Sequence, residues 1–248
     1  MKHVAIAGAT DGIGLALAVE YARLGWRVGL LGRDARRVEA AVAAARGATP
    51  GEIVVGVRWD ATDPADAGRA FADVARGLGQ VDVLVYVAGL MLTGTSPEER
   101  GDAAARMMEV NATGAIRLLE HAAEYMATAG RGRLAGVGSV AGDRRRKGNP
   151  AYAASKAALD AYLEGLRHRL QGTGVGVSTV KPGFVRTRML PSGARAFPPA
   201  IAASDAARRI VRGLERGRDV FYVPGWWALV SWALRLTPRV LFKRIAPA

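Results

Sequence analysis

The 248 residues are half apolar and carry a formal charge of +13, from 35 Lys and Arg against 22 Asp and Glu. That composition can bury one sizeable core and excludes a disordered chain. The absence of cysteine excludes disulfides, thiolate metal sites and a cysteine nucleophile, and the scattered His3, His121 and His168 lack zinc-type spacing. Short apolar runs then alternate with longer amphipathic stretches along the chain. Strands are predicted at 3–7, 27–31, 53–57, 81–86, 133–138, 174–180 and 219–223, and helices at 12–24, 34–46, 64–77, 101–129, 152–171 and 203–216. Strands that are apolar throughout, alternating with helices, predict one α/β domain. It is a Rossmann-type doubly wound, seven-stranded parallel sheet with helices on both faces. Ligands of such a sheet bind beyond the carboxyl ends of its strands, so the loops after 7, 31, 57, 86, 138 and 180 are the expected site.

The first of these loops reads Gly8-Ala9-Thr10-Asp11-Gly12-Ile13-Gly14, directly after a strand and opening a helix. Glycines there permit a tight turn and let backbone N–H groups approach a pyrophosphate at the helix N-terminus. Ser139 ends the fifth strand, and Tyr152 and Lys156 lie four apart near the start of the next helix. That spacing puts a phenol and an ammonium on one helix face, where a cation favours phenolate.

With these motifs the chain resembles the short-chain dehydrogenase/reductases, whose glycine turn is Gly-x-x-x-Gly-x-Gly, and the resemblance covers almost the whole chain. It implies that Tyr152 is the general acid/base and that Lys156 lowers its pKa and holds the nicotinamide ribose. Ser139 then orients the substrate oxygen, and Asn111, in Glu109-Val110-Asn111-Ala112, supports a proton-relay water. The turn Gly8, Thr10, Asp11, Gly12, Ile13, Gly14 implies the pyrophosphate site. Asp60, followed by Ala61, implies the acceptor for the adenine amino group, and Ala88-Gly89 the approach to the ribose. Tyr86 and Val87 replace the two asparagines that the family usually carries before Ala-Gly. Pro182-Gly183-Phe184-Val185-Arg186-Thr187 matches the family's Pro-Gly-x-x-x-Thr, which implies carboxamide contacts from Val185 and Thr187 and delivery of the pro-S hydride.

At the end of the second strand, Gly32 stands where NAD-type relatives carry an acid and Arg33 follows, which favours NADP(H) over NAD(H). The alternative is a carboxylate from Asp34 in a shifted turn, and Asp11 stands where many NADP-type relatives carry a base. Relatives of this kind also imply a homodimer or homotetramer, paired through the helices of Asn111 and Tyr152.

Two features point to the substrate. Arg144-Arg145-Arg146-Lys147 tethers four cations beside the site, and Arg186 and Arg188 follow the sixth strand, all suited to a phosphate, a pyrophosphate or an anionic membrane. Residues 224–248 form a second segment after the 1–223 catalytic domain: an amphipathic helical appendage with Trp226, Trp227 and Trp232, too short to span a bilayer. In it Arg235, Arg239 and Lys243 recur at four-residue intervals. Thr237-Pro238 is expected to start a second short helix.

A lipid-linked, acyl or phosphate-bearing carbonyl substrate and peripheral membrane contact through 224–248 are therefore expected. The nearest likeness within the family is to reductases of decaprenylphosphoryl keto-ribose and of 3-ketoacyl-CoA or 17-beta-hydroxysteroids. No secretory signal is read at the N-terminus, so a cytoplasmic location is expected. No helix-turn-helix, finger or aromatic RNA platform accompanies the basic residues, so no nucleic-acid partner is expected. The rival reading is a non-catalytic dinucleotide-sensing or scaffold protein of the same fold, against which the intact Ser139, Tyr152 and Lys156 argue.

Overall fold

The computed structural model describes residues 2–49, 53–144, 149–190, 199–238 and 240–242. In chain order the elements are β1 (His3–Ala7), α1 (Gly12–Arg23), β2 (Arg27–Gly32), α2 (Ala35–Ala48), β3 (Val54–Arg58), α3 (Asp66–Leu78), β4 (Val83–Tyr86) and α4 (Pro97–Met108). A π-helical turn (Glu109–Thr113) leads into α5 (Gly114–Ala129), followed by β5 (Gly132–Val137), α6 (Val140–Asp143), α7 (Pro150–Arg169) and β6 (Val175–Pro182). Last come β7 (Val185–Arg186), β8 (Ile201–Ala202), α8 (Ala203–Glu215), β9 (Val220–Val223) and α9 (Trp227–Leu236). Seven strands form one sheet in the order β3-β2-β1-β4-β5-β6-β9, every neighbouring pair parallel, and β7 and β8 pair separately.

Alternation along each strand builds the two core layers. Val4 and Ile6 of β1, with Val28 and Leu30 of β2, meet Leu17 and Tyr21 of α1, Ala41 of α2 and Ile210 of α8. Ala5 and Ala7, with Leu31, Leu84 and Tyr86, meet Phe71 and Val74 of α3, Leu118 of α5 and Leu159 and Leu163 of α7. Because both faces are covered, the strands read as continuous apolar runs and predict well. The strand order reverses between β1 and β4, which opens the crevice at the carboxyl edge where β1, β4 and β5 end.

Four elements differ from the sequence reading. The long helix expected over 101–129 is α4 and α5 joined through the π-turn, with α4 starting earlier on a Ser96/Glu99 capping box and Pro97. The single turn α6 and the two-residue strands β7 and β8 are too short to show any period. At the C-terminus α9 is present as a ten-residue helix, and Phe242 N–H donating to the Pro238 carbonyl starts the second helix expected there. Among the described residues no helix is long and apolar enough to cross a membrane.

Candidate active site

The crevice begins at the glycine turn. Gly8 has φ +87, and a side chain there would overlap the Ala88 backbone, so the turn after β1 and the turn after β4 touch. A Cβ on Gly14 would likewise overlap the Gly8 carbonyl, which is why α1 can start so close to β1. Asp11 caps α1, accepting from Gly12 N–H at 2.7 Å, and Ile13 packs on the core below. The next N–H groups of α1 have no helical acceptor, which makes this end suited to an anion. Thr187 lies against Gly12, within 2.9 Å of where a Cβ would stand, so the loop after β6 closes over the glycine turn.

At the end of β2, Gly32 is in contact with Thr10, and a Cβ on it would come to 2.6 Å of the Thr10 methyl, so no acidic side chain fits at that position. Asp34 is engaged: its Oδ1 accepts from Arg37 N–H at 3.0 Å and caps α2. Asp11 is also matched, pairing with Arg37 at 3.3 Å and with Arg188. Arg33 stands exposed beside Asp60. Burial works to raise the Asp60 carboxyl, but hydrogen bonds from Thr62 and the charges of Arg33 and Arg58 hold it below its ordinary value, so it is an ionised acceptor. Ala61 is buried against Gly114 of α5.

Ser139, Tyr152 and Lys156 come from the turn after β5 and from α7. Asn149 caps α7 by accepting from Tyr152 N–H at 2.9 Å, and it donates to the Leu92 carbonyl at 3.0 Å, tying the helix start to the loop after β4. Tyr152 is thereby fixed in the first turn, and Lys156 follows one turn on, its Nζ 6.0 Å from the Tyr152 ring centroid. The Lys156 ammonium is buried and donates to the Val137 carbonyl at 2.8 Å, while burial pushes its pKa down to about 8 against the opposing charge of Asp160. Ser139 Oγ accepts from Ala141 N–H at 3.1 Å, which leaves its O–H to be shared with the Tyr152 phenol.

The Tyr152 phenol is raised above its ordinary value, first by burial and then by Asp160, with the Ser139 hydrogen bond working the other way. Instead of the lowering expected from Lys156, desolvation dominates. The phenol holds its proton at neutral pH.

Asn111 lies in the π-turn, fully buried. Its Oδ1 accepts from Leu90 N–H at 2.6 Å and its Nδ2 donates to the Leu90 carbonyl at 2.8 Å and to Ser155 Oγ at 2.9 Å. With its oxygen and both amide hydrogens engaged, it braces the Ala88-Gly89 turn over the site. A Cβ on Gly89 would stand 3.3 Å from both Asn111 Oδ1 and Lys156 Nζ. The brace that the family's asparagines supply is replaced from the other side, because Tyr86 Oη donates to the Val110 carbonyl at 2.5 Å. That carbonyl belongs to the π-turn, where the regular helical ladder is interrupted.

The loop after β6 completes the crevice. Gly183 N–H donates to the Val223 carbonyl at 2.9 Å, and any side chain on Gly183 would overlap the Trp227 indole, which also packs edge-on against Phe184 at 5.7 Å. Val185 is buried in β7, and Pro182 ends β6. Every residue expected at the site is therefore gathered along one edge of the sheet, among the described residues.

The cations are placed differently from expectation. Arg144 donates to the carbonyls of Arg235 at 3.3 Å and Thr237 at 2.9 Å and covers the Phe242 ring at 4.3 Å. Its guanidinium clamps the end of α9 because those last helical carbonyls lack other partners. Arg186 donates to the Ala200 carbonyl at 2.6 Å, Arg188 pairs with Asp11, and Arg235 turns inward to Asp143. Arg145, Arg146, Lys147, Arg239 and Lys243 lie outside the described residues.

Sequence reasoning passed over Arg37, Asn149, Asp160 and Lys181. The first two carry the local signal of a helix start. Asp160 extends Tyr152 and Lys156 by one more turn of the same face, and Lys181 falls just past the strand predicted at 174–180, which the structure extends to Pro182.

The geometry agrees with the comparisons. The family model described as short chain dehydrogenase matches residues 2–195. An uncharacterized oxidoreductase of Mycobacterium tuberculosis (strain ATCC 25618 / H37Rv) is 35% identical over 98% of this chain and 96% of its own length. Serine 3-dehydrogenase of Agrobacterium fabrum is 32% identical over 74% of this chain and 72% of its own. Among solved structures, a short-chain dehydrogenase from Sphingobium yanoikuyae in complex with NADPH superposes with a TM-score of 0.81 at 27% identity, covering 100% of this chain and 98% of that one. The chain belongs to the short-chain dehydrogenases and is an NAD(P)-dependent oxidoreductase acting on CH–OH groups.

Proposed function

We propose that this enzyme reduces a ketone with NADPH, and that the ketone is carried on a lipid-linked, acyl or phosphate-bearing substrate. The observation that carries the reading is the Tyr152–Ser139–Lys156 cluster, in which a protonated phenol meets the Ser139 hydroxyl and a buried ammonium follows one helical turn on.

The crevice fits a dinucleotide: a side chain on Gly8 or Gly14 would fill the cradle beside the α1 N-terminus, and the Lys156 ammonium faces it from below Gly89. The reduced nicotinamide, when bound, supplies a hydride to the carbonyl carbon. Tyr152 donates its proton to the carbonyl oxygen as charge builds there, Ser139 donates a hydrogen bond to the same oxygen, and Lys156 holds positive charge beneath the phenol. Asn111 and Tyr86 keep the Ala88-Gly89 turn rigid so that these groups face one another. Support for a 2′-phosphate comes from Arg33, just past β2, and Arg37, in the first turn of α2, with Gly32 lacking space for an acid and Asp34 engaged as a cap.

Support for a lipid-borne substrate comes from the outer face of α9 and the residues after it. Leu229 (73% exposed), Trp232 (65%), Leu236 (62%) and Val240 (71%) stand in solvent together with Trp226 and Leu241. Such a face at the crevice edge, on a segment rich in tryptophan and arginine, suits a membrane interface.

The test is NADPH oxidation against polyprenyl-phosphate ketoses, β-ketoacyl thioesters and free ketones. Tyr152→Phe is expected to abolish turnover of whichever ketone is reduced while dinucleotide binding persists. Unchanged turnover in that variant would end the assignment.

A further inference from the structure

Ser139 is followed by α6, a helix of four residues. A single helical turn fixes several backbone dihedrals for one hydrogen bond and does not hold itself together. Its position, and with it the position of the serine that caps it, must be set from outside. Two contacts do so. Gly142 lies flat on α7, where a Cβ would come to 3.2 Å of the Lys156–Ala157 backbone. Asp143, at the last residue of the turn, is buried to 1% side-chain exposure and accepts hydrogen bonds from four side chains on three other elements.

Those donors are Lys181 of β6, Tyr222 of β9 at 2.8 Å, and Ser231 and Arg235 of α9. Burial works to raise the Asp143 carboxyl, yet these donors, Lys181 and Ser231 foremost, hold it below its ordinary value, so it is charged. The charge is passed on through Lys181, which also pairs at 3.0 Å with Asp160, one turn beyond Lys156 on α7. Arg144 returns the connection by capping the last carbonyls of α9. Two residues one turn apart on α9 therefore grip the acidic end of the one-turn helix that starts at Ser139, while the basic residue beside that acid grips α9.

We propose that α9 is a working part of the active site: Ser231 and Arg235, acting through Asp143, hold Ser139 in register with Tyr152. Asp143, Ser231 and Arg235 are positioning residues, since none of them reaches the crevice. The inference rests on the reductase reading for its effect on turnover, but the mechanical coupling can be read without any substrate. The arrangement differs from a stability role in a specific way. Arg235 is half-exposed and Ser231 is one of four donors, so removing either leaves Asp143 paired with Lys181 and the fold intact, while the turn after Ser139 loses part of its outer grip.

The experiment compares Arg235→Met, Ser231→Ala and Arg235→Lys with the parent chain. Three readouts are used: steady-state reduction of the ketone that the parent turns over best, NADPH titration, and amide hydrogen exchange. Arg235→Met and Ser231→Ala are expected to lower kcat by about 10- to 100-fold, the scale of an ångström-sized misplacement. KM and Kd for NADPH should stay within about twofold of the parent's, because the glycine turn is untouched. Arg235→Lys, which keeps the charge, should recover most of the loss. Amides 139–144 should exchange faster in the two weakened variants, with β1, β4 and α1 unchanged.

Unaltered exchange at 139–144, or an unaltered kcat with faster exchange there, would overturn the proposal. So would exchange that quickens across the whole sheet, which would assign the cluster to stability alone. A parent chain that reduces no ketone would defeat the proposed function, and the exchange readout would still decide whether α9 holds the Ser139 turn.

Discussion

Lys156→Met separates what the buried ammonium does for the reaction from what it does to the fold. The Lys156 side chain is 3% exposed, and burial pushes its pKa from the ordinary 10.5 to about 8. At about 1.36 kcal/mol per pH unit, that gap corresponds to about 3 kcal/mol. At pH 7 the lysine is protonated in both the folded and the unfolded chain, so the folded state bears the full penalty of a buried cation. As pH rises above 8 the folded chain releases the proton while the unfolded chain keeps it until 10.5, and stability rises through that window.

Lys156→Met removes the titration and leaves the Val137 carbonyl without its 2.8 Å donor, a loss of about 1–3 kcal/mol. At pH 7 the variant should therefore equal or exceed the parent in stability by up to about 2 kcal/mol. By pH 10 the parent should have gained on it by between about 2 and 3 kcal/mol. Parallel urea denaturation at the two pH values measures this, because the other titrating groups are shared and cancel in the difference. A stability difference between the two proteins that is the same at pH 7 and pH 10 would refute the placement of a desolvated ammonium under the crevice. Turnover should fall in Lys156→Met at both pH values, including pH 7, where its stability does not.

Trp227→Ala removes a buried indole from beneath Gly183 and Phe184 and should cost about 3–5 kcal/mol, lowering the thermal midpoint by ~6–20 °C. NADPH should protect the variant less than the parent, because the loop after β6 loses its floor. Replacing Arg33 and Arg37 together by Ala should weaken NADPH binding by at least about tenfold, the low end for charge-assisted hydrogen bonds at exposed side chains. Binding of NADH should barely change in a parallel fluorescence titration, and an equal loss for both nucleotides would count against a 2′-phosphate contact. Leu229→Glu with Trp232→Glu takes two exposed apolar side chains off the outer face of α9. Co-sedimentation with phosphatidylglycerol vesicles should fall by at least about 100-fold in partition coefficient, and unchanged sedimentation would argue against lipid contact there.

Most of the sheet was legible because its central strands are buried on both faces, so β1, β2 and β4 read as apolar runs bounded by glycine or a polar turn. The crevice was legible for a related reason: its residues sit at strand ends and helix starts in fixed local patterns, such as Gly8 to Gly14 and Tyr152 to Lys156. What was not legible depends on contacts between distant segments. The one-turn α6 has no period, and nothing in the local sequence of Asp143 signals that its partners are Lys181, Tyr222, Ser231 and Arg235. Tyr86 looked like a departure from the family pattern until the π-turn placed the Val110 carbonyl within its reach. Arg235 was misjudged because a basic residue recurring every four positions resembles a solvent-facing stripe, and here one member of the stripe faces a buried carboxylate.

That misjudgement bears on how a short helix can serve two surfaces. A ten-residue helix is marginal on its own in water. α9 is held because Trp227 fills the space under Gly183 and because Ser231 and Arg235 bond Asp143, and at 100° per residue these three lie within one 80° arc. Leu229, Trp232 and Leu236 fall on the opposite arc, so the same contacts that dock the helix oblige it to present large apolar side chains outward. An appendage kept only for lipid contact would need no buried serine and no inward arginine. On the proposed reading, a lipid-borne ketone meeting the outer face of α9 would arrive about one helix diameter from Asp143.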